Sequence, residues 1–564
     1  MTRLGWPAGA GLALLLGAAT LDGALESPAA QEPAHEHPAG EAEKLGRVDF
    51  AVSCSPAAQE RFGRAVALLH SFWYGQAEKA FAEVTRIDPT CAMAGWGVAM
   101  SLFHPIWAAA NPAGAPSPAE MERGRAAAAE AAGMGGKTSR ERDYIAAVAA
   151  FYAVPGTGDY PARAAAFENA MEEVHRRNPE DREAGIFYAL ALLGNAPPTD
   201  QSYARQKRAA EILNRLLPEA PEHPGIAHYL IHSFDYPSLA ALALPAARAY
   251  SKLAASSPHA LHMPSHIFTR LGLWEDSIQS NLASAESAKS HVQATQGPDY
   301  ASFDQLHALD YLEYAYLQEA RDGEARRTLD EMASVDKLDA PNFAAAYALA
   351  AVPARYALER RQWKQAGALT VRPAGFPWAK FSFAEALTHF ARAIGGARGG
   401  DVATAKDALA RLVEMHRGRV EAKDVSGASQ IEIQKLAAGA WIAQSEGRSD
   451  EAVKGMRAAA DLEDSTDKHP VTPGPVLPAR ELLGDLLLEQ GRAAEALKEY
   501  QASLLTAPGR FNSLAGAVRA AETAGEGGKA RELYAKLEAL CARSDGSRPE
   551  LAGLRARYAK KGSS

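Results

Sequence analysis

The sequence lacks the short motifs that usually reveal a known chemistry. It has only 3 cysteines in 564 residues, and no two of them have the CxxC spacing of a zinc or redox site. It also contains no HExxH, no P-loop, no nucleophile elbow and no GxGxxG turn. The enzyme classes that depend on those motifs are therefore not indicated. Whether the chain is an enzyme of another kind stays open.

An excess of positive charge is missing too. There are 60 lysines and arginines against 68 aspartates and glutamates, a net charge of −8, and no basic tract stands out. Proteins that bind nucleic acid usually carry a basic patch that contacts the phosphates. We therefore expect no nucleic-acid partner.

Sustained alternation of apolar and polar residues, the pattern of a half-buried strand, does not occur. The chain is rich in alanine, and 47% of its residues are hydrophobic, without enrichment in β-branched types. Alanine has the strongest intrinsic helix propensity. This composition predicts an all-α protein.

The only long apolar run lies at the amino terminus. One arginine precedes an apolar core at residues 12–21, which predicts a signal peptide over residues 1–25. Residues 26–46 are polar and contain prolines, as expected for a disordered linker. No later run reaches membrane-span length, so we expect an exported chain, periplasmic or secreted, with no membrane span in its mature part.

The three cysteines are Cys54, Cys91 and Cys541. In an exported chain, Cys54 and Cys91 are the one pair near in sequence that is a candidate for a disulfide. The alternative is that both are buried thiols.

A period of 34 residues is the strongest pattern in the chain. Ala496 and Tyr500 recur as Ala530 and Tyr534. A small residue, an aromatic residue four positions later and a proline at the helix exit are typical of the tetratricopeptide repeat (TPR). Residues 58–91 and 227–260 have the same offsets. The pattern predicts a superhelical array of antiparallel helix hairpins, a TPR-like α-solenoid.

Longer segments resemble a group of bacterial exported tetratricopeptide-repeat proteins that has no established activity. The segments are Ala67–Phe81, Asp88–Ser101, Ala227–Pro237 (AHYLIHSFDYP), His259–Trp274 (HALHMPSHIFTRLGLW) and Pro478–Leu487. The resemblance covers both ends and the middle of the mature chain, and it implies a helical repeat fold.

We expect a degenerate repeat array with histidine-rich central repeats over residues 47–467, followed by a carboxyl-terminal repeat pair over 468–564. A proline-rich segment, Lys468–Gly484, leads into that pair. It is either a rigid loop that packs across the array or a domain boundary.

Six of the 16 histidines fall within residues 223–266. Residues four apart share a helix face, as His228 and His232 do. In tetratricopeptide arrays the first helix of each hairpin lines the concave groove. The register implied by the resemblance places one set of residues around a common pocket: His228, His232, His262, His266, Arg270, His307, Asp310 and Tyr314.

Other histidines are interpreted as structural residues. His70 and His104 are assigned to packing against neighbouring tryptophans. His223 and His259 adjoin prolines at helix entrances, so they are assigned to capping or turn roles.

Two functions follow from the pocket. The first is a binding or scaffold protein that holds a protein, a peptide or a small ligand in its histidine-lined groove. The alternative is a metal-binding protein or metal-dependent enzyme, because imidazole nitrogens are preferred ligands of zinc and copper. The candidate metal ligands are His228, His232, His262, His266 and His307.

Overall fold

The computed structural model of the chain describes residues 43–106, 115–154 and 160–561. The predicted signal peptide, Trp107 and most of the predicted linker lie outside these ranges. From Lys44 onward the described residues form one compact unit.

The amino-terminal half of this unit consists of successive helices joined by short turns. They are α1 (Pro56–His70), α2 (Tyr74–Ile87), α3 (Ala92–Ser101), α4 (Pro118–Met134), α5 (Ser139–Ala153), α6 (Tyr160–Arg177), α7 (Arg182–Gly194), α8 (Ala204–Leu216), α9 (Pro224–Phe234), α10 (Leu244–Leu253), α11 (Pro258–His262), α12 (Pro264–Arg270) and α13 (Trp274–Gln296). A short 3₁₀ helix, Ala240–Ala243, precedes α10.

The carboxyl-terminal half continues in the same way. Its helices are α14 (Phe303–Gln318), α15 (Asp322–Ala333), α16 (Phe343–Glu359), α17 (Trp363–Gly367), α18 (Ser382–Gly399), α19 (Val402–Glu421), α20 (Val425–Ser445), α21 (Ser449–Asp464), α22 (Ala479–Glu489), α23 (Ala493–Thr506), α24 (Phe511–Thr523), α25 (Gly527–Leu540) and α26 (Pro549–Lys561). A second 3₁₀ helix spans Trp378–Lys380. Two short strands, β1 (Tyr300–Ala301) and β2 (Lys337–Leu338), pair in parallel with Tyr300 opposite Lys337.

Each helix packs mainly against its neighbours in sequence, as expected for antiparallel hairpins stacked into an array. The predicted fold class is confirmed. No described helix is long and apolar enough to cross a membrane.

The small residues of the repeat pattern are explained by close packing against aromatic rings. A Cβ atom added at Gly484 would lie 2.8 Å from the ring of Tyr500, and one added at Gly516 would lie 2.4 Å from it. The same holds for Gly97 and Phe81, at 2.2 Å. Neighbouring helices approach this closely only where the side chain is a hydrogen atom.

The apolar core consists of two clusters. One contains residues between Leu45 and Phe268, the other residues between Trp274 and Leu554. Cys54 and Cys91 form a disulfide in the first cluster, and Cys541 is a buried free thiol in the second. The histidine-rich helices therefore lie where the two clusters meet.

The segment between α21 and α22, residues 465–478, packs across the array; we call it the crossing segment. The Lys468 Nζ atom lies 3.0 Å from Asp235 Oδ2 in the amino-terminal half, and Tyr203 donates to Asp467 over 3.2 Å. On the other side, the His469 ring lies 4.4 Å from that of Phe343, measured between ring centres. Of the two alternatives for this segment, the structure shows the loop that packs across the array.

A partly buried carboxyl group, Glu463, lies at the base of the crossing segment. Its Oε2 atom accepts a hydrogen bond from the Ala479 backbone N–H over 2.7 Å, and burial raises its pKa to about 8. Because the folded-state pKa exceeds the unfolded value, the folded chain binds the extra proton. The free energy of unfolding should therefore fall as the pH rises from about 4.5 to 8.

We expect Glu463→Gln to remove this pH dependence, because glutamine keeps the acceptor but never ionises. The variant should match the parent protein at pH 5 and exceed its stability at pH 9. The difference should grow by roughly 1 kcal/mol per pH unit up to about pH 8 and then level off. Thermal unfolding across this pH range measures it, with Glu451→Gln on the exposed face of the same helix as the control. Parallel pH profiles of parent and Glu463→Gln would contradict the assignment.

Candidate metal centre

Three consecutive hairpins bring the five candidate metal ligands together. His228 and His232 lie one turn apart on α9, His262 and His266 lie on α11 and α12, and His307 lies on α14. Helix α9 contacts α12, and α11 contacts α14. Met263, between α11 and α12, has helical dihedral angles, so His262 and His266 keep the spacing of one turn despite the proline that follows Met263.

The first group consists of His262, His266 and His307, which we call triad 1. One ring nitrogen from each lies within 4.8 Å of the others. The Nε2 atoms of His262 and His266 are 3.0 Å apart, and the ring centres of His262 and His307 are 4.2 Å apart. All three side chains are buried. Three imidazoles that leave a fourth coordination position open are a common ligand set of catalytic zinc sites.

Asn281 on α13 determines which nitrogen of His262 carries the proton. Its Nδ2 atom donates to the Ser277 carbonyl oxygen over 2.8 Å, which directs its Oδ1 atom toward His262 Nδ1, 2.7 Å away. An amide oxygen only accepts hydrogen bonds. His262 Nδ1 therefore bears the hydrogen, and Nε2 of the neutral ring is unprotonated.

Asp235, just after α9, has the same effect on His266. Its Oδ2 atom accepts from His266 Nδ1 over 3.0 Å, while its Oδ1 atom accepts from Arg270 over 2.9 Å. Burial alone would raise the pKa of Asp235, but Lys468 and Arg270 hold it well below its usual value. The carboxylate is thus ionised, and Nε2 of neutral His266 is also unprotonated.

Two unprotonated nitrogens, His262 Nε2 and His266 Nε2, therefore face each other in triad 1. Their lone pairs repel unless they share a cation, which is either a proton or a metal ion. Burial lowers the pKa of His262 well below its usual value and lowers that of His266 too, so the proton is disfavoured near neutral pH. Two nitrogens bound to one tetrahedral zinc lie about 3.3 Å apart, close to the 3.0 Å found here.

The second group, triad 2, consists of His228, His232 and His259. One ring nitrogen from each again lies within 4.8 Å of the others, and the Nε2 atoms of His228 and His232 are 3.1 Å apart. His228 Nδ1 lies 2.6 Å from the His70 carbonyl oxygen, so it donates, and Nε2 is the free acceptor. Burial lowers the pKa of His232 to about 3 and that of His228 well below its usual value.

His223 lies in the turn at the start of α9, as expected, but the side-chain capping role expected for His223 and His259 is wrong. His259 belongs to triad 2, and the Ser257 hydroxyl caps α11 instead. The His223 side chain makes no capping bond to α9 but lies 2.8 Å from Glu183 Oε1, while His70 Nε2 lies 3.0 Å from Glu183 Oε2. This buried His–Glu–His group is internally hydrogen-bonded and supports the backbone carbonyl that orients triad 2.

The other predicted pocket residues do not all reach the histidines. Arg270 holds Asp235, as described above. Asp310 is buried against Arg355 on α16, with 2.5 Å between Oδ1 and Nη1, and Tyr314 accepts from Arg510 over 2.8 Å. Tyr311 is the residue of α14 that contacts the histidines in addition to His307. Its hydroxyl lies 3.3 Å from both ring nitrogens of His266. Tyr311 is four residues after His307, so these two share a helix face.

Both triads border one small cavity of about 20 Å³, which is room for about one water molecule. Its lining residues are Ile106, His232, His259, Met263, His266, His307, Pro470 and Val471. His259 and Val471 also line a much wider cleft, whose wall includes Phe72, Trp73, Tyr74 and Phe343. A ligand in the cleft can therefore lie next to the histidines.

Sequence reasoning named Asp235 as a possible orienting group but missed Asn281, Lys468 and Tyr311. Asn281 and Lys468 carry no signal in the sequence, because each meets the histidines only through folding. Tyr311 has one signal, its spacing of four from His307.

No family model matches this chain, and no curated protein matches it. The solved structures that are similar to it are distant. They include the APC/C hetero-tetramer Cut9–Hcn1, at 11% identity, covering 88% of this chain and 89% of that one with a TM-score of 0.33. A monomeric IFIT1 mutant with m7Gppp-AAAA has 12% identity, 86% and 96% coverage and a TM-score of 0.33. Naa15/Naa10 bound to HypK-THB has 11% identity, 90% and 92% coverage and a TM-score of 0.26. The fold assignment rests on this chain's own helices.

Proposed function

We propose that this protein binds a transition-metal ion, zinc or copper, between His262, His266 and His307. The observation that carries the proposal is the 3.0 Å distance between the Nε2 atoms of His262 and His266. Asn281 and Asp235 hold both rings in the tautomer that a metal requires. Such hydrogen-bonded partners are typical of metal-ligating histidines.

The all-nitrogen ligand set favours zinc, copper or nickel over magnesium or calcium, which prefer oxygen. Three protein ligands leave a coordination position for water or for a ligand. That position adjoins the small cavity, which shares His259 and Val471 with the wide cleft. We propose that a small ligand or the end of a peptide in the cleft reaches the ion there.

We also propose that the protein acts outside the cytoplasm. The apolar run at residues 12–21 and the Cys54–Cys91 disulfide support this, since structural disulfides persist in oxidising compartments.

The experiment is elemental analysis of the purified full chain, followed by titration of the metal-free protein with Zn²⁺ and Cu²⁺. We expect the ion of triad 1 to be lost in His262→Ala and in His266→Ala, while far-UV circular dichroism shows unchanged helix content. His416→Ala, on α19 away from the triads, is the matched control and should keep the metal. The proposal would be refuted if His262→Ala and His266→Ala bound as much metal as the parent protein. Failure of the parent protein to take up either ion would also refute it.

A second candidate function is that of a helical-repeat binding protein that uses the cleft without metal. The aromatic cleft wall, with Phe72, Trp73, Tyr74 and Phe343, favours it, because aromatic side chains are common in ligand sites. If a ligand binds equally well to the metal-free and metal-loaded protein, this candidate is preferred.

A further inference from the structure

Triad 2 repeats the construction of triad 1. Each combines two histidines four apart on consecutive helical turns with a third from a neighbouring helix. In each, the Nε2 atoms of the paired histidines approach closely, to 3.0 Å in triad 1 and 3.1 Å in triad 2. In each, at least one of those rings donates from Nδ1 to an oxygen of a buried group: Asn281 and Asp235 for triad 1, and the His70 carbonyl for triad 2.

Aromatic rings pack against the histidines of triad 2 and fix their side chains in place. The ring of Phe72 lies against all three of its histidines, with ring centres 4.4 Å from His228, 5.6 Å from His232 and 5.7 Å from His259. Tyr250 stacks on the His228 ring, with 5.0 Å between the ring centres. Packing of this kind restricts the rotamers of metal ligands and lowers the cost of arranging them.

The two triads are neighbours that share one cavity. His232 and His259 of triad 2 line it together with His266 and His307 of triad 1. The ring centres of His259 and His262, one from each triad, are 6.3 Å apart, similar to the 6.1 Å between His266 and His307 within triad 1. Ions held in the two triads would therefore both border this cavity.

We infer that the six histidines hold two transition-metal ions, one in each triad, and that an anionic oxygen ligand in the shared cavity bridges them. This inference rests on the proposed function, which requires only the ion of triad 1. Six neutral imidazoles leave the positive charge of two ions uncompensated. A hydroxide, carboxylate or phosphate oxygen between them supplies the missing negative charge. The apolar side chains of Ile106, Met263, Pro470 and Val471 around the cavity strengthen that attraction by excluding water.

The first test is metal stoichiometry. Metal-free full-length protein is titrated with Zn²⁺, and the bound ions per chain are counted after gel filtration. We expect two for the parent protein, and one for His232→Ala, with the ion in triad 1 retained. His232 is the more exposed member of the α9 pair, so its removal should leave the fold intact, as circular dichroism will show.

Two control variants account for other histidines. His416→Ala should still bind two ions. The double substitution His35→Gln and His37→Gln removes the paired histidines near the amino terminus and should also leave two. A drop in stoichiometry in that double variant would assign the second ion to the amino terminus and overturn the inference.

The remaining outcomes separate the inference from the proposed function. If no ion binds, both fail. If one ion binds and is lost in His266→Ala but kept in His232→Ala, the proposed function stands and the second site is refuted. If a single ion is lost in both variants, the six histidines form one mixed site, and the two-ion centre is likewise refuted.

The second test uses electron paramagnetic resonance with Cu²⁺ in both triads. Two copper ions joined by an oxygen bridge are magnetically coupled, so the parent protein should show a signal well below that of its copper content. His232→Ala, with one ion, should show the full signal of an isolated Cu²⁺. Two full-intensity, uncoupled signals from the parent protein would disprove the bridge.

Discussion

Arg510→Met should lower the free energy of unfolding by about 3–5 kcal/mol, the typical cost of breaking a buried ion pair from one side. Arg510, at the start of α24, is fully buried. It donates from Nη2 to Glu359 on α16 over 2.6 Å and from Nε to Glu481 on α22 over 3.0 Å. Its Nη1 atom donates to the Tyr314 hydroxyl on α14.

The cost arises because two glutamates remain when the guanidinium is removed. Glu359 and Glu481 are both buried, and burial already raises the pKa of Glu481 even with Arg510 in place. In the variant, each carboxylate must either stay charged without its partner or take up a proton. The loss of unfolding free energy in the variant should therefore shrink as the pH falls toward 5, since protonated glutamates carry no charge and no longer repel each other.

Urea and thermal unfolding of parent and variant at pH 8 and pH 5 measure both effects. Arg510→Lys should be intermediate, because lysine keeps the charge but loses the planar fork that contacts both glutamates. Arg411→Met, which removes a half-exposed ion pair with Glu414 on α19, is the matched control and should change the Tm little. Equal loss in Arg411→Met and Arg510→Met would show that the buried network is not the cause.

Asn281→Leu should weaken metal binding at triad 1 by roughly 10–100-fold, the usual effect of removing a group that orients a metal-bound histidine. Leucine has nearly the same size but cannot accept the hydrogen bond from His262 Nδ1. The free ring can then move its proton to Nε2, the atom that faces His266. A metal ion must displace that proton before it binds.

The change in affinity is measured by competition with a chelator of known affinity, together with the Tm of the metal-free variant. Asn281→Asp restores an acceptor of the type that Asp235 provides to His266 and should keep binding close to that of the parent. Gln279→Leu, on the exposed face of the same helix, is the control for helix α13. Parent-like affinity in Asn281→Leu would mean that His262 is not a ligand.

The sequence alone determined the helical class and the repeat construction. Alanine richness and the recurrence of Ala496 and Tyr500 as Ala530 and Tyr534 are local signals, and local helix propensity and packing against the next hairpin suffice to produce them. The spacing of four singled out His228, His232, His262 and His266, and it survives in the helices that form. The register implied by the resemblance added His307.

Only the tertiary structure decided how those histidines divide and what orients them. The sequence predicted that His259 caps a helix. In the structure the Ser257 hydroxyl caps that helix, and the His259 side chain instead belongs to triad 2. Asp310 and Tyr314 had the right register for the pocket, but Arg355 and Arg510, from helices far along the chain, bind them elsewhere. Lys468 reaches Asp235 across 233 residues of sequence. These contacts form between segments that are far apart in the sequence, where opposite charges are buried together. The pattern of neighbouring residues therefore does not predict them.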